Sequence, residues 1–250
     1  MPEGSSLHAL SDMKFSQLPI KLQERIEDTQ LTLYILDAAA PERAKLDIFE
    51  RVNNGVPLSR QQMRNCLFNG PATQWLKSAA NSDEFLAATG KSLDAKLMRD
   101  REAINRFCAF YLLGEDVYRG DMDAFLAQAL EKMQSDVDLE VLRLDFFNAM
   151  TINQGLFGDH AFRKSLVSYM NGNNPDRSVL NISLFDVCSV IFSKFDIEFV
   201  KERAGPVRDV ICELLNDAAF LNSITYSTNS SRQIQTRFSM ARNALAKVLA

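Results

Sequence analysis

Apolar residues recur at three- and four-residue spacing through most of the chain, the signature of amphipathic helices that each bury one stripe. The spacing predicts helices over 41–54, 59–69, 71–81, 82–89, 95–113, 121–134, 137–156, 160–170, 182–194, 197–203, 206–216, 218–225 and 230–249. Ahead of them, residues 1–13 are polar, and residues 18–27 read as a short helix with Pro19 tolerated in its first turn. One segment departs from this rhythm. Residues 31–36 (LTLYIL) place Leu31, Leu33 and Ile35 on one face and Thr32, Tyr34 and Leu36 on the other, which predicts a strand covered on both sides. Runs of small polar residues, NGNNPDRS at 171–178 and STNSS at 227–231, mark loops.

A lone strand leaves its backbone N–H and C=O groups unpaired, and burying them costs free energy at every position. The rest of the chain offers one weak strand candidate, Val179–Phe185, so the expectation is that partner strands come from another molecule or from sequence ahead of this chain.

Composition narrows the chemistry. The 250 residues are 46% hydrophobic and 24% charged, which excludes disordered and fibrous classes. The longest apolar run, Phe107–Leu113, is seven residues, against roughly 18 for a membrane span. The opening MPEGSSLHAL has no basic end followed by an apolar stretch, so a cytoplasmic location without a membrane partner is expected. Cys66, Cys108, Cys188 and Cys212 are dispersed among apolar neighbours and read as reduced core thiols. With only His8 and His160, the chain lacks the histidine set for a metalloprotease, an H-N-H nuclease centre or a Ser-His-Asp triad, and it has no phosphate-binding glycine loop.

The densest local signal is KLDIFERVNNGVPLSRQQMRNCLFNG, residues 45–70. Leu46, Phe49 and Val52 form the inner face of its first helix. Asn53 lies about 40° from Phe49 and is therefore aimed inward. Gly55 suits a left-handed helix end, and Ser59 with Gln62 forms the capping box of the next helix. The N–H groups of that helix start, together with Arg51, Arg60 and Arg64, can receive an anion; the alternative is that Asn53 and Asn54 satisfy loop backbone. In MRDREAINRF, residues 98–107, Asp100 projects onto the apolar face of Ile104 and Phe107 and would need an arginine partner from the preceding segment. Arg99, Glu102 and Arg106 are spaced to pair with one another along the helix.

His160, in FGDHAFR, sits at a helix start and reads as structural. Residues 218–250 contain Arg232, Arg237, Arg242 and Lys247 and no acid, +4 against −4 for the whole chain. Steps of five residues scatter these charges around the helix, whereas Ile234, Phe238, Ala241 and Leu245 form a seam, so core packing is expected ahead of contact with DNA phosphates.

Taken in order, FSQLPIKLQERI, LDIFERVNNGVPLSRQQMRNCLFNGP, MRDREAINRFCAFYL, FGDHAFR, NISLFDV and STNSSRQIQTRFSMA resemble the ParB/sulfiredoxin-like domain family that forms the N-terminal half of GmrSD-type, modification-dependent restriction endonucleases. The second stretch resembles the family loop F-x-R-[IV]-N-x-G-G-x-x-L, with Val56 in place of its second glycine, and the third its R-x-x-E-x-x-x-R-F helix. Such proteins carry, ahead of this region, a strand-rich part with F-Q-R-x-Y-x-W and D-G-Q-Q-R motifs assigned to nucleotide binding and hydrolysis; neither motif occurs here. The resemblance implies a nucleoside triphosphate site formed only together with such a strand-rich segment or subunit. Asn53, Asn54, Gly55 and Arg64 would stand at its edge, and Arg51, Arg99, Asp100, Glu102 and Arg106 in a supporting ion network.

The expected architecture is mainly α, a multi-helix bundle with a small α/β remnant of one strand. Residues 1–13 would be a disordered tail, 14–70 the C-terminal part of a ParB-like module, and 71–250 a helical domain. The expected function is that of a non-autonomous part of a foreign-DNA defence protein, without turnover or DNA cleavage of its own. The alternatives are a helical interaction scaffold and a DNA-contacting adaptor using the C-terminal helix.

Overall fold

The computed structural model describes residues 10, 13–33, 35, 37, 44, 48, 51 and 58–249. The chain divides into two compact units, Met1–Ile48 and Phe49–Ala250.

In the first unit a 3-10 turn, Phe15–Gln17, precedes helix α1, Ile20–Glu27. Pro19 caps α1, which frees the helix of a proline in its interior. None of the α1 side chains is buried. Among the described residues of the expected strand, 31–33 and 35, no strand is formed, and Leu31 is 81%, Leu33 80% and Ile35 92% exposed. Alternation describes which side chains can share a face, but a strand exists only where another backbone answers its N–H and C=O groups. Tyr34 and Leu36 lie outside the described residues.

The second unit is helical. Its helices are α2 (Arg60–Leu67), α3 (Pro71–Ala80), α4 (Asp83–Thr89), α5 (Arg99–Leu113), α6 (Met122–Ser135), α7 (Leu139–Phe157), α8 (Leu166–Met170), α9 (Ile182–Phe192), α10 (Ile197–Glu202), α11 (Ala204–Asn216), α12 (Ala218–Ser223) and α13 (Ser231–Leu245). Side-chain caps explain many of their starts: Ser82, Asp121, Asp138, Asn181, Asp196, Asp217 and Ser230 each accept a hydrogen bond from a first-turn N–H. The expected capping box is formed, with Gln62 N donating to Ser59 Oγ at 3.2 Å and Ser59 N to Gln62 Oε1 at 2.7 Å.

Two helices form the centre. Every residue from Ala103 to Phe110 of α5 and from Ser183 to Phe192 of α9 is buried, and an all-round apolar helix is stable only where neighbours surround it. α5 packs against α3, α6 and α9, while α9 also packs against α7 and α13. Aromatic contacts tie these layers together, including Phe107 to Phe146 at 4.9 Å, Phe110 to Phe238 at 5.0 Å and Phe162 to Phe185 at 4.8 Å between ring centroids. The seam of Ile234, Phe238, Ala241 and Leu245 is buried, so α13 is core-packed.

Two local departures have physical causes. The helix expected over 160–170 is broken, because Phe162 adopts φ +60° and Arg163 pairs with Leu180 in an isolated antiparallel bridge, the only β pairing among the described residues. The weak strand candidate at 179–185 thus contributes one bridge and then becomes α9. α5 starts at Arg99 rather than 95, since Asp94 Oδ1 accepts from Lys96 N and Leu97 N and holds a turn there. Among the described residues no helix is long and apolar enough to cross a membrane.

Candidate functional site

The residues expected to form a site separate into two buried polar clusters. The first joins α2, α5 and α6. Ser59 Oγ donates to Leu97 O at 2.6 Å and Gln62 Nε2 to Lys96 O at 2.9 Å, so the start of α2 is fastened to the turn before α5. The next turn of α2 carries Gln61 and Arg64 inward, both buried. Arg64 Nε donates to Gln61 Oε1 at 3.0 Å, and its Nη1 forms an ion pair with Asp123 of α6. Glu102 stands 4.0 Å from Arg64 Nη2 and 3.1 Å from Arg99. Burial pulls the Arg64 guanidinium below its ordinary pKa against the opposing pull of Asp123 and Glu102. Gln61 Nε2, Arg64 Nη2 and Asn105 Oδ1 are buried and have no hydrogen-bond partner.

Of the residues expected at the site, the fold brings Arg64, Glu102 and Arg99 together. Arg64, 1% exposed and paired inside, is not presented to a phosphate arriving from solvent. Asp100 does not take the buried, arginine-paired position; it is half-buried and accepts from Arg101 N at 2.7 Å. Arg51 is exposed, while Asn53, Asn54 and Gly55 lie outside the described residues.

Arg106 belongs to the second cluster. Instead of meeting Glu102 on its own helix, it donates from Nε to Asp186 Oδ1 at 2.9 Å and from Nη2 to Asp186 Oδ2 at 2.5 Å, the bidentate geometry that favours arginine. Arg237 of α13 reaches the same Oδ2 at 3.2 Å. Burial acts against the charge on Arg106, but Asp186 outweighs it and holds the guanidinium above its usual range. Arg237 is pulled down to about 10, by burial first and also by Arg106, with Asp186 opposing.

Both arginines also hold the 227–230 loop. Arg237 Nη1 donates to Thr228 O at 2.6 Å, Arg106 Nη1 to Asn229 Oδ1 at 3.4 Å and Tyr118 Oη to Asn229 O at 2.6 Å. Neither Asp186 nor an inward Arg237 is among the residues expected at a site. The signals were present: Asp186 is the single charge in the otherwise apolar or small α9, and Arg237 lies between Ile234 and Ala241 on the buried seam.

The FGDHAFR segment is likewise engaged with the fold. His160 stacks on Tyr169 with centroids 4.5 Å apart and shares a hydrogen bond with Ser165 Oγ at 2.9 Å. Arg163 Nη2 donates to Thr89 O at 2.9 Å and to Ser92 Oγ at 2.6 Å. Cys108 and Cys188 are buried thiols, and desolvation pushes Cys188 up to about 12, which disfavours the nucleophilic thiolate. Among the described residues no group of three or more His, Cys, Asp or Glu side chains is placed to hold a metal ion. Clefts open on the helical unit among the described residues. Two, of about 510 and 290 Å³, flank Arg208, which caps the end of α7 by donating to Leu156 O at 2.7 Å. Another, of about 400 Å³, lies between α5, α9 and α13. Comparison of the chain with protein-family models, with curated proteins and with solved structures finds no match.

Proposed function

We propose that this chain is the partner-dependent helical part of a ParB-like, nucleotide-dependent protein of foreign-DNA defence in the cytoplasm, with no nucleotide turnover of its own. The strand-rich partner, bearing the D-G-Q-Q-R motif of the family that the sequence resembles, takes up residues 31–36 as an added strand and supplies the nucleoside triphosphate site. The observation that carries this reading is the apolar face Leu31, Leu33 and Ile35, four-fifths or more exposed in a segment with β propensity and, among the described residues, no strand to pair with. Three such side chains left in water are a cost that strand addition removes, at about 25 cal/mol per Å2 of apolar surface buried.

In this reading Asn53, Asn54 and Gly55 contribute to the edge of the partner's site, and Arg64 has a positioning role: it locks α2 to α5 and α6. The DNA adaptor reading is weaker, since Arg237 and Arg242, two of the four C-terminal cations, are paired with Asp186 and Glu115.

Co-expression with an untagged D-G-Q-Q-R-bearing partner tests the reading. The expected result is co-purification, abolished by Leu33→Asp without loss of the helical melting transition, together with nucleotide hydrolysis by the complex alone. Co-purification that resists Leu33→Asp, or a complex whose melting temperature is indifferent to nucleotide, would favour a scaffold instead.

A further inference from the structure

The cleft between the C-terminal ends of α5, α9 and α13 is apolar in its walls and cationic at its mouth. Phe110, Val190, Ile191 and Leu245 line it, all buried within the unit, and Tyr111, Lys194 and Arg242 stand at its edge. Its volume of about 400 Å³ falls in the range of small-molecule sites. No acidic side chain lines it.

The two cations differ. Arg242 is matched: both terminal nitrogens bind Glu115, with Nη2 to Oε2 at 2.9 Å. Lys194 is not. Its ammonium lies 3.6 Å from the centroid of the Tyr111 ring, and among the described residues it makes no hydrogen bond or ion pair. The nearby carboxylate, Asp145, is already engaged as the acceptor of the Tyr111 hydroxyl. Lys194 is exposed, and partial burial of its ammonium lowers its pKa, with Asp145 opposing.

Three helix C-termini meet here, and their carbonyls would by themselves repel an anion. Two of the ends are already answered: Lys132 Nζ donates to Leu112 O at 3.1 Å at the end of α5, and Asn148 Nδ2 to Phe195 O at 2.7 Å just beyond α9. At the mouth the Lys194 ammonium is the cation that makes no hydrogen bond or ion pair among the described residues, with the Asp145 carboxylate as the opposing charge nearby.

From the apolar walls, the volume of the cleft and a lysine ammonium at its mouth that makes no hydrogen bond or ion pair among the described residues, we infer that the cleft binds a small carboxylic acid with an apolar tail, the tail among Phe110, Val190, Ile191 and Leu245 and the carboxylate on Lys194. The inference stands apart from the proposed partner, since it uses neither residues 31–36 nor the α2 cluster.

Titration of the methyl-labelled full chain with octanoate, octan-1-ol and octylammonium tests it. Octanoate is expected to shift the Val190, Ile191 and Leu245 methyl signals and to bind about tenfold more tightly than octan-1-ol, the usual gain from one hydrogen-bonded charge. Octylammonium should bind more weakly than either. Lys194→Met, a change at an exposed residue, should erase the preference for octanoate while leaving octan-1-ol binding in place. Equal affinity for acid and alcohol, a preference that survives Lys194→Met, or shifts confined to residues outside the cleft would each overturn the assignment.

Discussion

Asp186 and Arg64 are the centres of two buried polar clusters built on the same central helix, and they are finished to different degrees. Asp186 is fully enclosed, bound through both oxygens by Arg106 and reached by Arg237; Arg106 Nη1 goes on to Asn229 Oδ1 and Arg237 Nη1 to Thr228 O, while Arg237 Nε is unanswered. Arg64 is as deeply buried, yet its acid Asp123 is 40% exposed and three polar atoms around it are unanswered. A network whose central acid is answered on both oxygens fixes one arrangement of the helices that contribute to it, whereas one with more of its polar atoms unanswered leaves room for rearrangement. The first therefore defines the core through α5, α9 and α13, and the second sits beside α2, where the residues expected to border a partner's site adjoin it.

Breaking the closed cluster should have the largest effect. Asp186→Ala leaves two buried guanidinium groups facing each other without their shared carboxylate, and a loss of about 3–5 kcal/mol is expected in urea unfolding of the chain. Replacing all three members together, Arg106→Met with Asp186→Leu and Arg237→Met, should restore part of that stability, because the uncompensated charge goes with its partners. If the triple variant is no more stable than Asp186→Ala, the hydrogen bonds from the arginines to the 227–230 loop, rather than the ion triad, carry the stability.

At the second cluster, Arg64→Met should cost less, about 1–3 kcal/mol, since Asp123 can turn to water and Gln61 loses one hydrogen bond. Sensitivity to salt sharpens the contrast. The loss caused by Arg64→Met should shrink as ionic strength rises, because its half-exposed acid is screened, while that of Asp186→Ala should not change. A loss from Arg64→Met equal to that from Asp186→Ala would mean that the two clusters are equivalent supports of the fold.

Much of the helical frame was readable because the forces that set it are local. The stripe of α13, the apolar core of α5 and the Ser59/Gln62 box all involve residues a few positions apart. What escaped depends on distant partners. Arg106 was assigned to Glu102 by helix spacing, but Asp186 lies 80 residues away and offers a bidentate, dehydrated pair that the local acid does not. Arg64 meets Asp123 across 59 residues, which removes its charge from the anion site that its neighbours in sequence suggested. The strand at 31–36 failed for the same reason in reverse: its pattern is local, and the pairing that would realise it is not. Asp100 lost its buried position when the turn capped by Asp94 delayed the start of α5, placing Asp100 in a first turn where its carboxylate meets backbone N–H.

The most open member of the series is Tyr111 with Asp145, and here the expected effect is smallest and depends on pH. Burial, the hydrogen bond to Asp145 and the charge of Asp145, in that order, raise the Tyr111 phenol from 10.0 to about 12. The folded chain therefore keeps this proton at pH values where the unfolded chain has released it, and releasing it favours the unfolded state. The contribution is present in full below the unfolded value of 10.0 and is lost as pH rises toward the folded value of about 12. Tyr111→Phe removes the titration, so stability should fall less steeply with pH across that window in the variant than in the parent chain. The difference should be modest, because the phenol is only partly buried and solvent screens its interaction with Asp145. Urea midpoints measured on either side of the window, for both proteins in a Lys194→Met background, isolate the effect, since Lys194 lies over the same ring and titrates in the same range. Parallel pH profiles would show that Asp145 accepts from Tyr111 without holding its proton, leaving the carboxylate free to pair with Lys194 at the mouth of the adjacent cleft.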